Sequence, residues 1–197
     1  MLKINQTVTF LFFVLIFTSC KGQLKADETC VNKFKTAREL AYKNSTRLSA
    51  LDSAITLANE CMQCDSIRKA VVEFKITLLI IMKKYAEGIV FVDSLNEKDF
   101  TFGYKQKFIS KGLQALEFKS KNNAIKENLI YREIVNDIEH YIISKKNIGS
   151  KEFMEVYTDL FTAKEKFLDA NQINKDVELL KSKYPDKKSF FDFFKQE

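Results

Sequence analysis

The chain has 197 residues, 46% of them hydrophobic and 29% charged, with 32 Lys and Arg against 26 Asp and Glu for a formal charge of +6. The cationic excess is spread among acidic residues and no aromatic-basic module accompanies it, which argues against a nucleic-acid surface. Five glycines and one proline are too few to punctuate an all-β chain, so the long periodic stretches between them argue helices throughout.

Residues 1–19 have the parts of an export signal: Lys3 beside the amino terminus, an apolar run from Val8 to Phe17, then the small residues Thr18 and Ser19. A helix needs about 20 apolar residues to cross a bilayer, and this run is too short. The segment Phe10-Leu-Phe-Phe-Val-Leu-Ile-Phe-Thr-Ser-Cys20 resembles the lipobox of bacterial lipoproteins, with Phe17 where that family usually has leucine. The resemblance implies that the Cys20 thiol receives a diacylglycerol, that residues 1–19 are cut off, and that the new amino group is acylated. Several acyl chains give durable attachment where one gives only marginal binding. Lys21-Gly22-Gln23 lacks the aspartate that commonly retains such proteins at the inner membrane. The expected place is therefore the bacterial cell envelope, anchored to the outer membrane. Residues 20–28 read as the lipidated cysteine and a tether too poor in apolar surface to pack, and 29–197 as a single domain.

Within that domain the first helix is expected from about Thr29 to Lys43, with Phe34, Ala37, Leu40 and Ala41 on one face. After an Asn44-Ser45 break, a second runs to about Glu60 with Leu48, Leu51, Ile55 and Ala58 inward. Cys61-Met-Gln-Cys64 is the next turn, and Asp65 or Ser66 is the expected N-cap of a long helix carrying Ile67, Ala70, Val71, Phe74, Leu78 and Ile81. Lys83-Lys84 interrupts it, and Tyr85 to about Leu95 reads as its antiparallel mate. The β-branched runs Ile76–Met82 and Ile89–Val92 favour strands in isolation, but they lie inside longer charged-and-apolar patterns that favour buried helices. Residues 96–99 read as a polar loop, 100–118 and 122–143 as amphipathic helices, and 151–168 and 172–183 as the last two. In Ser189-Phe190-Phe-Asp-Phe-Phe194 no single stripe explains four rings, so at least two are expected to seal the end of the final helices.

Comparison at fixed period aligns Leu51-Asp-Ser-Ala-Ile-Thr-Leu-Ala-Asn59 with Tyr85-Ala-Glu-Gly-Ile-Val-Phe-Val-Asp93, an offset of 34 residues (51 to 85). Ala54 coincides with Gly88 and Ile55 with Ile89; a small residue three positions after a large one lets antiparallel helices approach closely. Lys84-Tyr85-Ala86-Glu87-Gly88 resembles the opening of the second helix of a tetratricopeptide repeat, and Lys183-Tyr-Pro185-Asp keeps that family's closing pattern. The early units lack the family's proline. The fold expected is all-α, a right-handed stack of antiparallel helical hairpins like tetratricopeptide repeats, with a compact helical bundle as the alternative.

With Cys20 lipidated, Cys30, Cys61 and Cys64 remain in an oxidising compartment. Antiparallel packing brings the start of the first helix to the end of the second, so Cys30 is expected to bridge to Cys61 or Cys64. Closing such a loop of about 32 residues is worth roughly 3.7 kcal/mol in the chain-entropy model, against roughly 1.9 for Cys61 to Cys64. The Cys-x-x-Cys spacing of 61–64 also fits a redox dithiol, but such a pair normally opens a helix after a strand. The single histidine, His140, sits in a helix centre and reads as a surface residue, so neither a metal site nor a cofactor is expected.

No phosphate loop or nucleophile elbow is present. The acid pairs Glu133 with Asp137, and Glu152 with Glu155, share helix faces and read as solvated faces balanced by lysines. Lys105, Lys107 and Lys111 read as solubilising surface. An enzyme is not expected. The function expected is a lipid-anchored envelope scaffold that binds proteins or peptides through its hairpins, as the repeat resemblance implies, with Tyr42, Tyr85, Tyr104 and Lys105 in the region of the groove. The alternative is a helical-bundle lipoprotein that binds a small apolar or envelope-derived ligand, motivated by the apolar stretch from Ile76 to Val92.

Overall fold

The computed structural model describes residues 28–196. The export signal, Cys20 and all but the last residue of the tether therefore lie outside the described residues. Among those described, nine α-helices and two short 3-10 turns make an all-α protein: α1 (Glu28–Lys43), α2 (Leu48–Cys61), α3 (Arg68–Ile81), α4 (Tyr85–Asp93), α5 (Lys105–Ser120), α6 (Ala124–Ser144), α7 (Ser150–Lys164), α8 (Ala170–Lys183) and α9 (Lys188–Asp192). The described residues divide into two compact units, one holding 28–88 plus Lys98–Thr101 and the other Ile89–Glu97 plus 102–196.

In the first unit α1 packs on α2, α2 on α3, and α1 also meets α3. Small side chains make this possible: Ala37, Ala54 and Ala58 are fully buried, so the helices approach without a large side chain between them. Around them Phe34, Cys61 and Val71 form a core against which Met62, Ile67, Ala70 and Phe74 pack, with the Phe34 and Phe74 rings edge to face at 5.5 Å. Cys30 is disulfide-bonded to Cys64 with Cα atoms 6.4 Å apart, and Cys61 is left as a buried free thiol whose Sγ lies 3.7 Å from the Cys30 carbonyl. Burial pushes the Cys61 thiol up, against the pull of Lys33.

Several boundaries differ from the sequence expectation: the helix expected over 151–168 ends at Lys164 and the one expected from 172 starts at Ala170, and two further differences have a visible cause. The N-cap of α3 is Ile67, with no side-chain cap, in place of Asp65 or Ser66. Cys64, tied to Cys30, begins a run of tight turns (Ile67 N–H to Cys64 O, 3.1 Å; Arg68 N–H to Asp65 O, 3.4 Å) that carries the chain past both polar residues before the helix starts. Likewise 96–99 is not a free polar loop and 100 does not open a helix. Glu97–Asp99 is a 3-10 turn, and Asp99, 2% exposed, is held by Arg68 through Nε to Oδ1 at 2.6 Å and Nη2 to Oδ2 at 3.3 Å. The same guanidinium donates through Nη1 to the Met62 carbonyl at 2.6 Å, so one planar fork joins the α2–α3 turn, α3 and the 3-10 turn.

In the second unit α5 packs on α6, α6 on α7, and α8 on α9. The core runs through Ile134, Val135 and Ile138 of α6, Val156, Leu160, Phe161 and Ala163 of α7, and Ile173 and Val177 of α8. Asp169 starts α8 with a capping box closed by Gln172. Lys164 ties three helices, 2.9 Å from Glu139 and 2.7 Å from Asp176. The C-terminal rings join this core: Phe191 is fully buried against Tyr157, Phe153 and Phe161, and Phe194 stacks on Phe161 at 4.5 Å, whereas Phe193 is exposed. Three of the four rings thus seal the end of the last helices.

Candidate ligand cleft

On α5 the residues Gln106, Ser110 and Gln114 recur every four positions and Lys107 and Lys111 run beside them, so a single helix face is polar over two turns. This face, with Asp93 from the end of α4 and Asp137 from α6, lines an open cleft of about 540 Å³ in the second unit. The volume is within the usual range for small-molecule sites, which are about 300–1,000 Å³.

Its walls are fixed by bonds that use most of their polar groups. Gln106 donates its amide to the carbonyls of Val92 at 3.1 Å, which also accepts from Leu95 N–H, and of Leu95 at 2.8 Å, just past the end of α4. Ser110, 6% exposed, donates to Asp93 Oδ1 at 2.7 Å. Lys111 is shared by Glu133 at 3.1 Å and Asp137 at 2.8 Å. Burial opposes the Lys111 charge, but the two carboxylates outweigh it and its pKa is raised. Lys107 is exposed and forms no ion pair among the described residues.

Beside the cleft, the first turn of α5 carries a second cluster directed at α7. Lys105 Nζ lies 2.6 Å from Asp159 and 3.4 Å from Glu155, over the rings of Tyr104 and Phe108. Tyr104 donates to Asp159 at 2.8 Å, and Tyr141 donates to Glu152. Burial pushes the Tyr104 phenol far up, and the Asp159 carboxylate beside it adds to that. Burial also raises Asp159, against Lys105 and the Tyr104 hydroxyl. Every acid in this cluster has a donor, so it reads as a pin between α5, α6 and α7.

The residues singled out in the sequence separate accordingly. Tyr42, 88% exposed, and half-buried Tyr85 belong to the first unit, while buried Tyr104 and half-buried Lys105 belong to the second. Glu133 and Asp137 converge on Lys111, and Glu152 and Glu155 turn toward Tyr141 and Lys105. His140 is exposed, its Nδ1 3.0 Å from the Asn136 carbonyl. Among the described residues no group of three His, Cys, Asp or Glu is placed to hold a metal, and no helix is long and apolar enough to cross a membrane. The apolar stretch Ile76–Val92 contributes nothing to the cleft lining. Sequence reading missed Gln106, Ser110, Gln114 and Asp93; the available signal was the four-residue recurrence of uncharged polar side chains in α5, a helix that elsewhere alternates apolar and charged. Comparison of the chain with protein-family models, curated proteins and solved structures finds no match.

Proposed function

We propose that the protein is a lipid-anchored, helical-bundle component of the bacterial envelope that binds a polar, envelope-derived small ligand in the cleft formed by α4, α5 and α6, without catalysis. The observation that carries this reading is the cleft itself: a concavity of ligand size, lined by residues with polar or charged ends, whose walls are held by internal hydrogen bonds. Preorganised walls lose little freedom on binding, which raises affinity at a given contact area. A bundle is favoured over an open stack by the mutual packing of α1, α2 and α3. The polar lining favours an envelope-derived ligand over an apolar one.

The anchor is the Cys20 lipid, inserted in the outer membrane, and nucleic acid is not among the partners. Substituting Cys20→Ala is expected to move the protein from the membrane to the soluble fraction and to remove the acyl mass at its mature amino terminus, as read by intact-mass spectrometry. An unchanged mass and fractionation would sink the anchor. For the ligand, the full chain is purified natively from the envelope and the small molecules extracted from it are identified by mass spectrometry. Recovery of a protein partner with no small molecule would instead favour the hairpin-scaffold reading. That second reading draws on one observation: the segments matched at 34 residues are both helical, and their small residues Ala54 and Gly88 are both buried.

A further inference from the structure

We infer that the cleft of the second unit recognises a short peptide through its two charged ends, an inference that rests on the ligand-binding reading above. The lining consists of Asp93, Gln106, Lys107, Ser110, Lys111, Gln114 and Asp137. It contains no aromatic ring on which a sugar could stack, and its apolar surface comes from the methylene stems of lysine and glutamine side chains that end in polar groups. Three of its polar groups are committed internally: the Gln106 amide to two carbonyls, the Ser110 hydroxyl to Asp93, and the Lys111 ammonium to Glu133 and Asp137.

What stays available is a cation, one carboxylate oxygen on each of Asp93 and Asp137, and an amide. Lys107 has no carboxylate partner among the described residues, and Asp93 uses only Oδ1, leaving Oδ2 to accept. Gln114 has both a donor and an acceptor to offer a peptide group. The Ser110 hydrogen bond fixes Asp93 at the level of residue 110, three residues along α5 from Lys107, which is about 4.5 Å of helix axis at 1.5 Å per residue. An extended chain covers about 3.5 Å per residue, so the axial offset alone matches one to two residues, and the reach of the long Lys107 side chain away from the helix extends the span to two or three. Its ammonium meets Asp93 and its carboxylate meets Lys107. Asp93 and Lys107 are both exposed, and a ligand with two charged ends gains a charge pair at each, where a ligand of single charge gains one and a neutral ligand none.

The test uses the full chain in detergent and titrates two probes by calorimetry: tri-alanine with free ends, and tri-alanine acetylated at its amino end and amidated at its carboxyl end. Free tri-alanine is expected to bind at least tenfold more tightly. Lys107→Gln, an exposed change with no protein partner to lose, is expected to remove the contribution of the free carboxylate and leave the free peptide between its original affinity and that of the blocked one, because Asp93 still meets the ammonium. Asp93→Asn is expected to remove the preference for the free amino end, with circular dichroism confirming that the helices are intact. A third probe, a neutral amino-sugar disaccharide, separates the two readings. If it saturates the cleft and Lys107→Gln leaves it unaffected, recognition of peptide ends is overturned and the polar-ligand reading stands. Equal affinity for free and blocked peptides overturns recognition of the ends as well. No saturable heat with any of the three probes overturns recognition by the cleft altogether.

Discussion

Lys83 and Asn122 are the two non-glycine residues with positive φ among those described, at 56° and 53°. Each follows a helix and closes it in the same way. After α3, Lys83 N–H donates to Ile80 O at 3.0 Å and Lys84 N–H to Leu79 O at 2.9 Å; after α5, Asn122 N–H donates to Lys119 O at 3.0 Å and Asn123 N–H to Phe118 O at 2.9 Å. These are the paired bonds of a Schellman motif, whose left-handed residue is usually glycine. A β-carbon is costly there, least so for asparagine. Lys83→Gly is therefore expected to raise stability by about 0.5–1 kcal/mol, and Asn122→Gly by less, as measured by denaturant unfolding. A loss of stability at Lys83 would show that its side chain contributes more than its backbone costs. The interruption of the helix at Lys83-Lys84 was legible in the sequence because two cations ended an apolar run, but its mechanism was not. The Arg68–Asp99 clasp was hidden for a related reason. Its partners are 31 residues apart, and the polar neighbours Asn96, Glu97 and Lys98 made Asp99 look solvated when it is buried.

At the scale of elements, periodicity placed the main helices because each buries one stripe, and boundaries failed where tertiary bonds override local signals, as at Ile67 and Lys105. The five-residue α9 shows the same effect: too short to be stable alone, it exists because Phe191 is buried in the rings of α7 and because α8 holds it with ion pairs. Phe191→Ala is expected to cost about 3–5 kcal/mol, the usual penalty for emptying a buried aromatic site, and thermal melting checks it. The ion pairs add a pH dependence. Lys181 lies 2.6 Å from Asp192 and 3.3 Å from Glu178, and Lys195 lies 2.7 Å from Glu178. The Lys181 hydrogen bond holds the Asp192 carboxyl below its ordinary 3.8, and Lys195, then Lys181, hold Glu178 below 4.5. For a depressed carboxyl the folded state binds fewer protons than the unfolded one, so the contribution is present above those ordinary values and disappears as pH falls through the lower folded ones. Amide exchange at residues 190–194 is accordingly expected to lose protection below about pH 4, ahead of α7. Protection unchanged down to pH 3 would mean that the rings hold α9 without help from the charges.

For the whole molecule, the cysteines link the expected address to the fold. Export to an oxidising compartment would make a disulfide sustainable, and the one among the described residues, Cys30–Cys64, closes a sequence separation of 34 residues within the first unit. In the chain-entropy model that closure is worth about 3.8 kcal/mol. The sequence narrowed the partner of Cys30 to two residues but did not choose between them, because Cys61 and Cys64 sit one helical turn apart at the same end of α2. Packing makes the choice: Cys61 is turned fully into the core formed by Phe34, Ala58 and Val71, while Cys64 lies past the helix end, in the turn. The double variant Cys30→Ser, Cys64→Ser is expected to lower the protection of amides in α1, α2 and α3 that exchange only through opening of the first unit. At about 1.4 kcal/mol for each factor of ten, 3.8 kcal/mol corresponds to a loss of nearly three decades. Cys61, whose thiol is now buried with a raised pKa, becomes accessible to alkylation at the same opening rate, because it packs on the helices that the disulfide joins. Faster exchange in α1 to α3 without faster alkylation of Cys61 would mean that the helices open while the Cys61 pocket stays closed, and would place the stabilising action of the disulfide outside that core.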